Sequence, residues 1–211
     1  RDRSNIYFTQ LSLDVGSEIH IDRGYIELDS RERIKLIKPI EPLLKWLNKQ
    51  DSYSFSKGKN PFNVIGAGLA GVEVALALRK RWPERKIKIY AHPGSPRKRL
   101  RNFLIKAGIS ISYSPESIEG FTLLCTGSKG PSWLRESGLL VDKNGRVLTK
   151  NTFQVLNYSN IFASGDCGVI TNNERPASGV WAVKASNPLA KNLEHYSCRL
   201  NLQKWHPQSK A

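Results

Sequence analysis

The chain has 211 residues, of which 39% are hydrophobic and 24% are charged, and its formal net charge is +15. It contains no run of about 18 apolar residues, which excludes a membrane-spanning helix, and no recognisable signal peptide. Its three cysteines form no C-x-x-C pair, which excludes a redox dithiol, and its four scattered histidines predict no metal site. Because the chain begins with arginine and contains no methionine, we expect it to be a piece of a longer protein.

The basic residues concentrate in three stretches, 79–85, 97–101 and 184–204. Such clusters are typical of nucleic-acid binding, of attraction to anionic membranes or phosphorylated cofactors, and of a solvated basic surface. The sequence has neither an RNA-binding aromatic signature nor a helix-turn-helix pattern. We therefore expect no nucleic-acid partner and leave the other interpretations open.

The first 60 residues predict a strand, two extended segments, a helix and a linker. The strand covers Asn5 to Asp14, and residues 24–28 and 34–37 are expected to be extended. Pro39 to Gln50 places its leucines on one helical face, which predicts a helix. Asp51 to Asn60 is polar, with serine and glycine, and predicts a linker.

A glycine-rich turn follows the apolar strand Phe62 to Ile65 in the stretch "NVIGAGLAGVEVALALRKRW". Gly66 lets the chain turn sharply out of the strand, Gly68 leaves room for a pyrophosphate, and Gly71 lets the next helix pack closely. The N-terminus of that helix, which runs to Trp82, offers N–H groups and a positive dipole end to phosphate. The pattern predicts a dinucleotide site, and the alternative is a packed turn without a ligand.

A strand–helix–strand pattern continues after this turn. Strands are predicted over Lys86 to Tyr90, Ile109 to Tyr113 and Phe121 to Cys125, and a basic amphipathic helix over Pro93 to Ala107. Units specific for NAD usually end the second strand with an acidic residue. That strand has no acid at its end here, so we expect poor discrimination against the 2′-phosphate of NADP.

The remaining elements follow from turn and helix signals. Ser132 to Ser137 is predicted to form a short helix, and Asn144-Gly145 a hairpin-like turn. Ser178 to Leu200 is predicted to form a longer helix that is interrupted near Pro188.

A second cofactor signal is the stretch "IFASGD", in which an apolar strand ends in Gly165 and Asp166. A carboxylate at a strand end can accept hydrogen bonds from a sugar alcohol chain. A helix is predicted about a dozen residues later, and its N-terminus near Gly179 to Ala182 would stabilise negative charge on a reduced ring system. The alternative is an ordinary turn or helix N-cap.

The order of these motifs resembles the FAD- and NAD(P)H-dependent pyridine nucleotide oxidoreductases, especially their type II NADH dehydrogenase-like branch. Within that branch, several segments are similar to the NADH-dehydrogenase-like module fused to selenide, water dikinase (selenophosphate synthetase). These segments are "LSLDVGS", "KPIEPLLKW", "VIGAGLAGVEVALALR", "CTGSKGPSWLRESGL", "IFASGDC" and "RPASGVWAVKASNPLAKNL".

The resemblance implies an α/β, Rossmann-like flavoprotein fold with two dinucleotide-binding domains, here lacking its N-terminal FAD-binding segment. Residues 1–58 would be the end of the first FAD-domain segment with a connecting helix and linker. Residues 59–130 would form the NAD(P)H-binding domain, and residues 131–211 would return to the FAD domain and end in a tail. Members of the family carry a further G-x-G-x-x-G for FAD, and none precedes residue 66 here.

The resemblance also implies the cofactors, NAD(P)H and FAD, and roles for particular residues. Gly66, Gly68 and Gly71 would cradle the NAD(P)H pyrophosphate. Glu73 would be the catalytic residue near the nicotinamide–flavin junction, with a helix-surface carboxylate as the alternative. The other cofactor-binding residues would be Thr126, Gly127, Gly165, Asp166, Gly179, Val180 and Trp181.

The implied activity is hydride transfer from NAD(P)H to FAD and onward to a second acceptor, either a quinone or a selenium compound. A fused selenophosphate synthetase domain is the implied covalent partner, and unpaired strands predict self-association, for instance as a homodimer. We expect a cytoplasmic location, with attachment to the membrane surface as the alternative. Rival functions are a nucleotide-binding scaffold without catalysis and, less favoured, a basic nucleic-acid-binding protein.

Overall fold

The computed structural model describes residues 5–19, 33–51, 61–113, 118 and 120–206. The chain divides into two compact units. We call Ile19–Gly127 the continuous unit, and Arg1–Glu18 together with Ser128–Ala211 the discontinuous unit.

The described residues form short strands and five α-helices, joined by loops and turns. The strands are β1 (Leu11–Leu13), β2 (Glu18–Ile19), β3 (Ile34–Leu36), β4 (Phe62–Ile65), β5 (Ile87–Tyr90), β6 (Ser110–Ser112), β7 (Thr122–Leu124), β8 (Ser128–Lys129), β9 (Val147–Thr149), β10 (Ile161–Ala163) and β11 (Gly168–Ile170). The helices are α1 (Ile40–Asp51), α2 (Leu69–Arg81), α3 (Lys98–Lys106), α4 (Ser132–Glu136) and α5 (Gly179–Ser197), and a 3₁₀ turn covers Gly165–Cys167.

The continuous unit is built on a five-stranded parallel sheet in the order β3-β7-β4-β5-β6. The three central strands of the sheet carry its core, and Val64 of β4, Ile89 of β5 and Leu123 of β7 are fully buried. Helices α2 and α3 connect β4 to β5 and β5 to β6. This is the strand–helix–strand arrangement that the sequence predicts, and the α/β Rossmann-like fold is confirmed.

The sheet reverses its strand order at β4, which has β5 on one side and β7 on the other. Parallel sheets bind ligands outside the carboxyl ends of the strands at such a reversal. The residues that follow β4 and β7 therefore define the place in this unit where a ligand would sit.

At the other end of the strands, where they begin, aromatic rings pack around the side chain of one arginine. The guanidinium carbon of Arg85 lies 4.7 Å from the ring centroid of Trp82 and 4.9 Å from that of Phe62. Burial lowers the pKa of Arg85 to about 10. The rings supply cation–π stabilisation for the charged form at this partly desolvated position.

The discontinuous unit contains two parallel strand pairs. Strand β1 pairs with β10, and β9 pairs with β11. Helix α5 packs its buried side chains Ala185 and Leu189 against Phe162 of β10. A buried amide, Asn192, holds the chain after this helix, because it exchanges two 2.8 Å hydrogen bonds with the backbone of Gln203.

Three predicted elements differ from the structure in length or continuity. The predicted strand over Asn5 to Asp14 shortens to β1, and Ile6 and Tyr7 before it are 86% and 91% exposed. Helix α3 begins at Lys98 rather than at Pro93, since the two prolines of the intervening loop have no N–H to donate.

Helix α5 runs through Pro188 without the predicted interruption. A proline inside a helix costs about 3 kcal/mol. The buried face of this 19-residue helix offsets that cost by packing on the unit's core. The predictions for residues 24–28 and for most of the linker lie outside the described residues.

The division into units also differs from the predicted domain limits. Strand β3 pairs with β7, from Ile34 opposite Thr122 to Leu36 opposite Leu124, and so forms one edge of the five-stranded sheet. Together with α1 it belongs to the continuous unit, whereas the sequence prediction placed both in the segment 1–58. The functional domain limits themselves stay predictions.

Candidate functional site

The glycine turn and the end of β7 meet at the reversal point of the sheet. Gly66 follows β4, and its N–H donates to the carbonyl oxygen of Tyr90 at 3.0 Å. Cys125 follows β7, and its N–H donates to the carbonyl oxygen of Ile65 at 2.8 Å. Gly127, two residues after Cys125, is exposed. The structure thus brings the predicted residues Gly66, Gly68, Gly71, Thr126 and Gly127 to one edge of one sheet.

The three glycines have three different surroundings. Gly66 has a φ of +105°, and a Cβ there would lie 2.5 Å from the carbonyl oxygen of Cys125. A Cβ on Gly71 would lie 1.8 Å from the carbonyl oxygen of Gly66, so the helix touches its own turn at this point. A Cβ on Gly68 would meet no atom within 4 Å. Two glycines are therefore required by packing, and the third borders open space.

Helix α2 begins directly at that open space. Gly68 is its N-cap with extended dihedrals, φ −68° and ψ 179°, and its carbonyl oxygen accepts the first helical bond from Val72 at 3.0 Å. The N–H groups of Leu69, Ala70 and Gly71 precede that bond, and the first turn carries no acidic residue. The helix start thus offers backbone donors and a positive dipole end, with no carboxylate in that turn to compete with an anion.

Glu73, the predicted catalytic residue, lies on the exposed side of α2, in the second turn of the helix. An exposed carboxylate on a helix surface was the alternative interpretation. The continuous unit by itself supports neither role over the other, so the catalytic role of Glu73 stays a prediction.

The loop after β5 covers one side of the glycine turn. The hydroxyl of Ser95 donates to the carbonyl oxygen of Ala67 at 2.9 Å, and the N–H of Ser95 donates to the carbonyl oxygen of His92 at 3.0 Å. The loop leads into Arg97, Lys98 and Arg99, which are all exposed. No acidic residue lies between the end of β5 and these cations. Ser95 was missed by sequence reasoning, because a hydrogen bond from a loop to another loop has no periodic signal.

The second predicted group of residues lies in the discontinuous unit, at the carboxyl ends of β1 and β10. These strands run parallel with Leu13 opposite Ala163, so the residues after each strand emerge side by side. The hydroxyl of Ser17 donates to Oδ2 of Asp166 at 3.0 Å. This hydrogen bond holds the carboxylate that the sequence assigned to a ribityl chain.

Gly165 sits in a close-packed position beside this carboxylate. Its φ is +64°, and a Cβ there would lie 2.7 Å from Oδ1 of Asp14 and 4.0 Å from the Cβ of Ala182. The turn therefore packs against the first turn of α5. Asp14 and Ser17 were missed by sequence reasoning, although they stand in "LSLDVGS" just after a strand, the same position that drew attention to Asp166.

The N-terminus of α5 is capped and electropositive. The hydroxyl of Ser178 accepts a hydrogen bond from the N–H of Trp181 at 3.5 Å, which marks Ser178 as the N-cap. The Trp181 ring lies 5.4 Å from the guanidinium carbon of Arg175 and 5.0 Å from the ammonium of Lys184. Gly179 has no neighbour within 4 Å of a Cβ position, and Val180 is half exposed. Both cations and the helix dipole would stabilise negative charge brought to this helix start.

Each group fits the chemistry of the cofactor predicted for it. In the glycine turn, backbone atoms pack too closely at Gly66 and Gly71 to admit a side chain, whereas Gly68 borders open space. A pyrophosphate requires such space next to the backbone. The hydrogen bond from Ser17 fixes the Asp166 carboxylate, which can then accept hydrogen bonds from the hydroxyl groups of a ribityl chain. The N-terminus of α5 lies beside it and suits a negatively charged ring. The two groups lie in different units, and each fit concerns its own unit.

Two kinds of site are not found in the part of the chain that the structure describes. Among those residues, no three His, Cys, Asp or Glu side chains group closely enough to hold a metal ion. None of the described helices combines the length and the apolar character needed to cross a membrane.

Alkylation by iodoacetamide near pH 8 is expected to reach Cys198 well before the other two cysteines. Burial raises the pKa of Cys125 to about 12 and also raises the pKa of Cys167, so both hold little of the reactive thiolate. Cys198 is exposed at the end of α5. Mass spectrometry of the labelled peptides checks this order, with urea-unfolded protein as the control in which all three react. Equal rates in the folded protein would contradict it.

Comparisons with known proteins identify the fold. No protein-family model matches the sequence, and no curated protein matches it significantly. Among solved structures, the chain is similar to a water-forming NADH oxidase from Lactobacillus brevis bound to NADH, with a TM-score of 0.67 and 18% identity over 88% of this chain and 46% of that one. It is also similar to an engineered water-forming NADPH oxidase bound to NADPH, with a TM-score of 0.64 and 17% identity over 94% of this chain and 47% of that one. The chain thus spans about half the length of these oxidases.

Proposed function

We propose that the chain is part of a flavin-dependent NAD(P)H oxidoreductase. The observation that carries this proposal is the glycine turn at the reversal point of the parallel sheet, closed at Gly66 and Gly71 and open at Gly68. The two similar oxidases, which are bound to NADH and NADPH, support the same class of ligand. A flavin accepts a hydride from the nicotinamide and passes electrons to a second acceptor.

The residues of this chain bind and orient rather than carry out the redox step. The N–H groups at the start of α2 hold the dinucleotide pyrophosphate, and Thr126 and Gly127 border it. Asp166, fixed by Ser17, accepts hydrogen bonds from the ribityl hydroxyls. The α5 start at Gly179, Val180 and Trp181 stabilises negative charge on the ring system.

The first two candidates for the second acceptor are a quinone and a selenium compound, and the resemblance to the selenide, water dikinase fusion module motivates the latter. The two similar oxidases are water-forming, which adds dioxygen to the acceptors worth testing.

Anaerobic flavin reduction tests the proposal. With FAD in large excess, NADH or NADPH should bleach the flavin faster in the presence of the chain than in its absence. Adding dioxygen, a water-soluble quinone or selenite in turn then identifies which acceptor restores the yellow colour fastest. If the chain binds NADH but leaves the rate of flavin bleaching unchanged, the result favours the rival function, a nucleotide-binding scaffold without catalysis.

The chain is expected to discriminate poorly between NADH and NADPH. No acid follows β5 to repel the 2′-phosphate, and the exposed Arg97, Lys98 and Arg99 would attract it. Replacing these three by glutamine should weaken NADPH about tenfold more than NADH. Titration calorimetry with both nucleotides measures the ratio. A wild-type preference for NADH above about 100-fold, or about 2.7 kcal/mol, would contradict the prediction.

A further inference from the structure

One side-chain hydrogen bond joins the loop after β5 to the glycine turn. The hydroxyl of Ser95 donates to the carbonyl oxygen of Ala67 at 2.9 Å. Ala67 lies between Gly66 and Gly68 in the turn and is buried. A buried backbone carbonyl group costs free energy when it has no partner, and the Ser95 hydroxyl supplies one.

This hydrogen bond fixes the orientation of the peptide group between Ala67 and Gly68. In a planar trans peptide the C=O and N–H bonds point in opposite directions. Because the carbonyl oxygen of Ala67 points to Ser95, the N–H of Gly68 points away from the loop after β5. Strand β7 lies on the other side of β4, and Thr126 and Gly127 follow it. The bond therefore turns an oxygen away from the side on which the pyrophosphate is expected.

The peptide group needs this restraint because glycine makes it easy to reverse. A reversal of the peptide between Ala67 and Gly68 moves φ of Gly68 from −68° into the positive range. Glycine adopts positive φ about as readily as negative φ, and the space around Gly68 is open. The reversed peptide would present the carbonyl oxygen of Ala67 to the anion in place of an N–H group.

The loop that carries Ser95 is itself held in place. The N–H of Ser95 donates to the carbonyl oxygen of His92 at 3.0 Å, and Gly94 within this turn has a φ of +83°. Proline followed by a glycine of positive φ is the order that a type II turn favours. Pro96, the next residue after Ser95, is buried. The hydroxyl therefore comes from a fixed turn.

We propose that Ser95 is a positioning residue, which locks the peptide group between Ala67 and Gly68 and keeps a carbonyl oxygen out of the pyrophosphate site. The inference rests on the proposed function, since it takes the pyrophosphate of NAD(P)H as the anion at this turn. Ser95 acts through Ala67 and needs no contact with the nucleotide. Because NADH and NADPH share the pyrophosphate, Ser95 affects both, whereas the basic residues 97–99 would affect NADPH more.

The variant Ser95→Ala, made in the full 211-residue chain, tests the proposal. Its affinities for NADH and for NADPH, measured by titration calorimetry, should each fall about tenfold. Ser95→Thr keeps the hydroxyl and should bind both nucleotides within about threefold of wild type. In ligand-free ¹⁵N-labelled chain, the amide cross-peak of Gly68 should shift or broaden in Ser95→Ala and return in Ser95→Thr. A loss of stability alone would not move that cross-peak.

Ser110→Ala is the matched control. The Ser110 hydroxyl also donates to a backbone carbonyl oxygen, that of Ile87 at 3.3 Å, but at the amino ends of β5 and β6. This variant should bind both nucleotides as wild type does. Unchanged affinity or an unmoved Gly68 cross-peak in Ser95→Ala, or an equal loss in Ser110→Ala, would overturn the inference and leave the proposed function standing. A wild-type chain that binds neither nucleotide would overturn both.

Discussion

Replacing Gly68 with valine is expected to abolish dinucleotide binding while leaving the fold intact. Its dihedrals are extended and open to any residue, and a Cβ there meets nothing within 4 Å, so the side chain costs the folded protein little. It would occupy the space the pyrophosphate needs and displace it from the N–H groups of α2. Losing two charge-assisted hydrogen bonds of about 1.5–3 kcal/mol each lowers affinity by about 100-fold or more. Titration with NADH and NADPH measures the loss.

Gly71→Ala is the matched variant, and it should destabilise the fold rather than only block the ligand site. Its Cβ would overlap the carbonyl oxygen of Gly66, so the turn or the helix has to move, at a cost of about 1–3 kcal/mol or more. We expect a clear fall in melting temperature for Gly71→Ala and almost none for Gly68→Val. Unchanged NADH affinity in Gly68→Val would show that the turn is only structural.

The 211-residue chain, produced alone, is expected to purify without stoichiometric flavin and to oxidise little NAD(P)H until FAD is added. In the proposed function Asp166 and the start of α5 would contact the ribityl chain and the ring, whereas no G-x-G-x-x-G precedes Gly66 to hold the ADP half. Missing several charge-assisted hydrogen bonds of about 1.5–3 kcal/mol each weakens binding by about 1,000-fold or more. The visible spectrum of the purified chain checks this directly.

The weak affinity for FAD that remains should depend on the carboxylate of Asp166. Fluorescence titration with FAD should show Asp166→Asn binding about tenfold more weakly than wild type, and Glu136→Gln, a surface change in the same unit, binding as wild type. A yellow protein with one flavin per chain would mean that this chain holds FAD without a further glycine-rich turn.

The glycine turn could be predicted from the sequence almost completely, because its chemistry is local. Strand β4 covers the predicted Phe62 to Ile65, and the distinct requirements at Gly66, Gly68 and Gly71 follow from the spacing alone. The turn at Gly145, with a φ of +73°, was predictable for the same reason.

The features that were missed depend on partners distant in the chain. Ser17 and Asp166 are 149 residues apart and meet only because β1 and β10 pair. Strand β3 joins the sheet through β7, which comes much later in the chain, and nothing in its three residues indicates that partner. The uninterrupted course of α5 through Pro188 depends on the packing of its buried face, which local propensity does not contain.

Backbone amide shifts during an NADH titration test the central claim most directly. In ¹⁵N-labelled chain, the largest changes should occur at the N–H groups of Leu69, Ala70 and Gly71, with smaller ones at Thr126 and Gly127. A titration that leaves these amides unmoved, or that moves those around Gly165 instead, would contradict the proposal that this turn holds the dinucleotide.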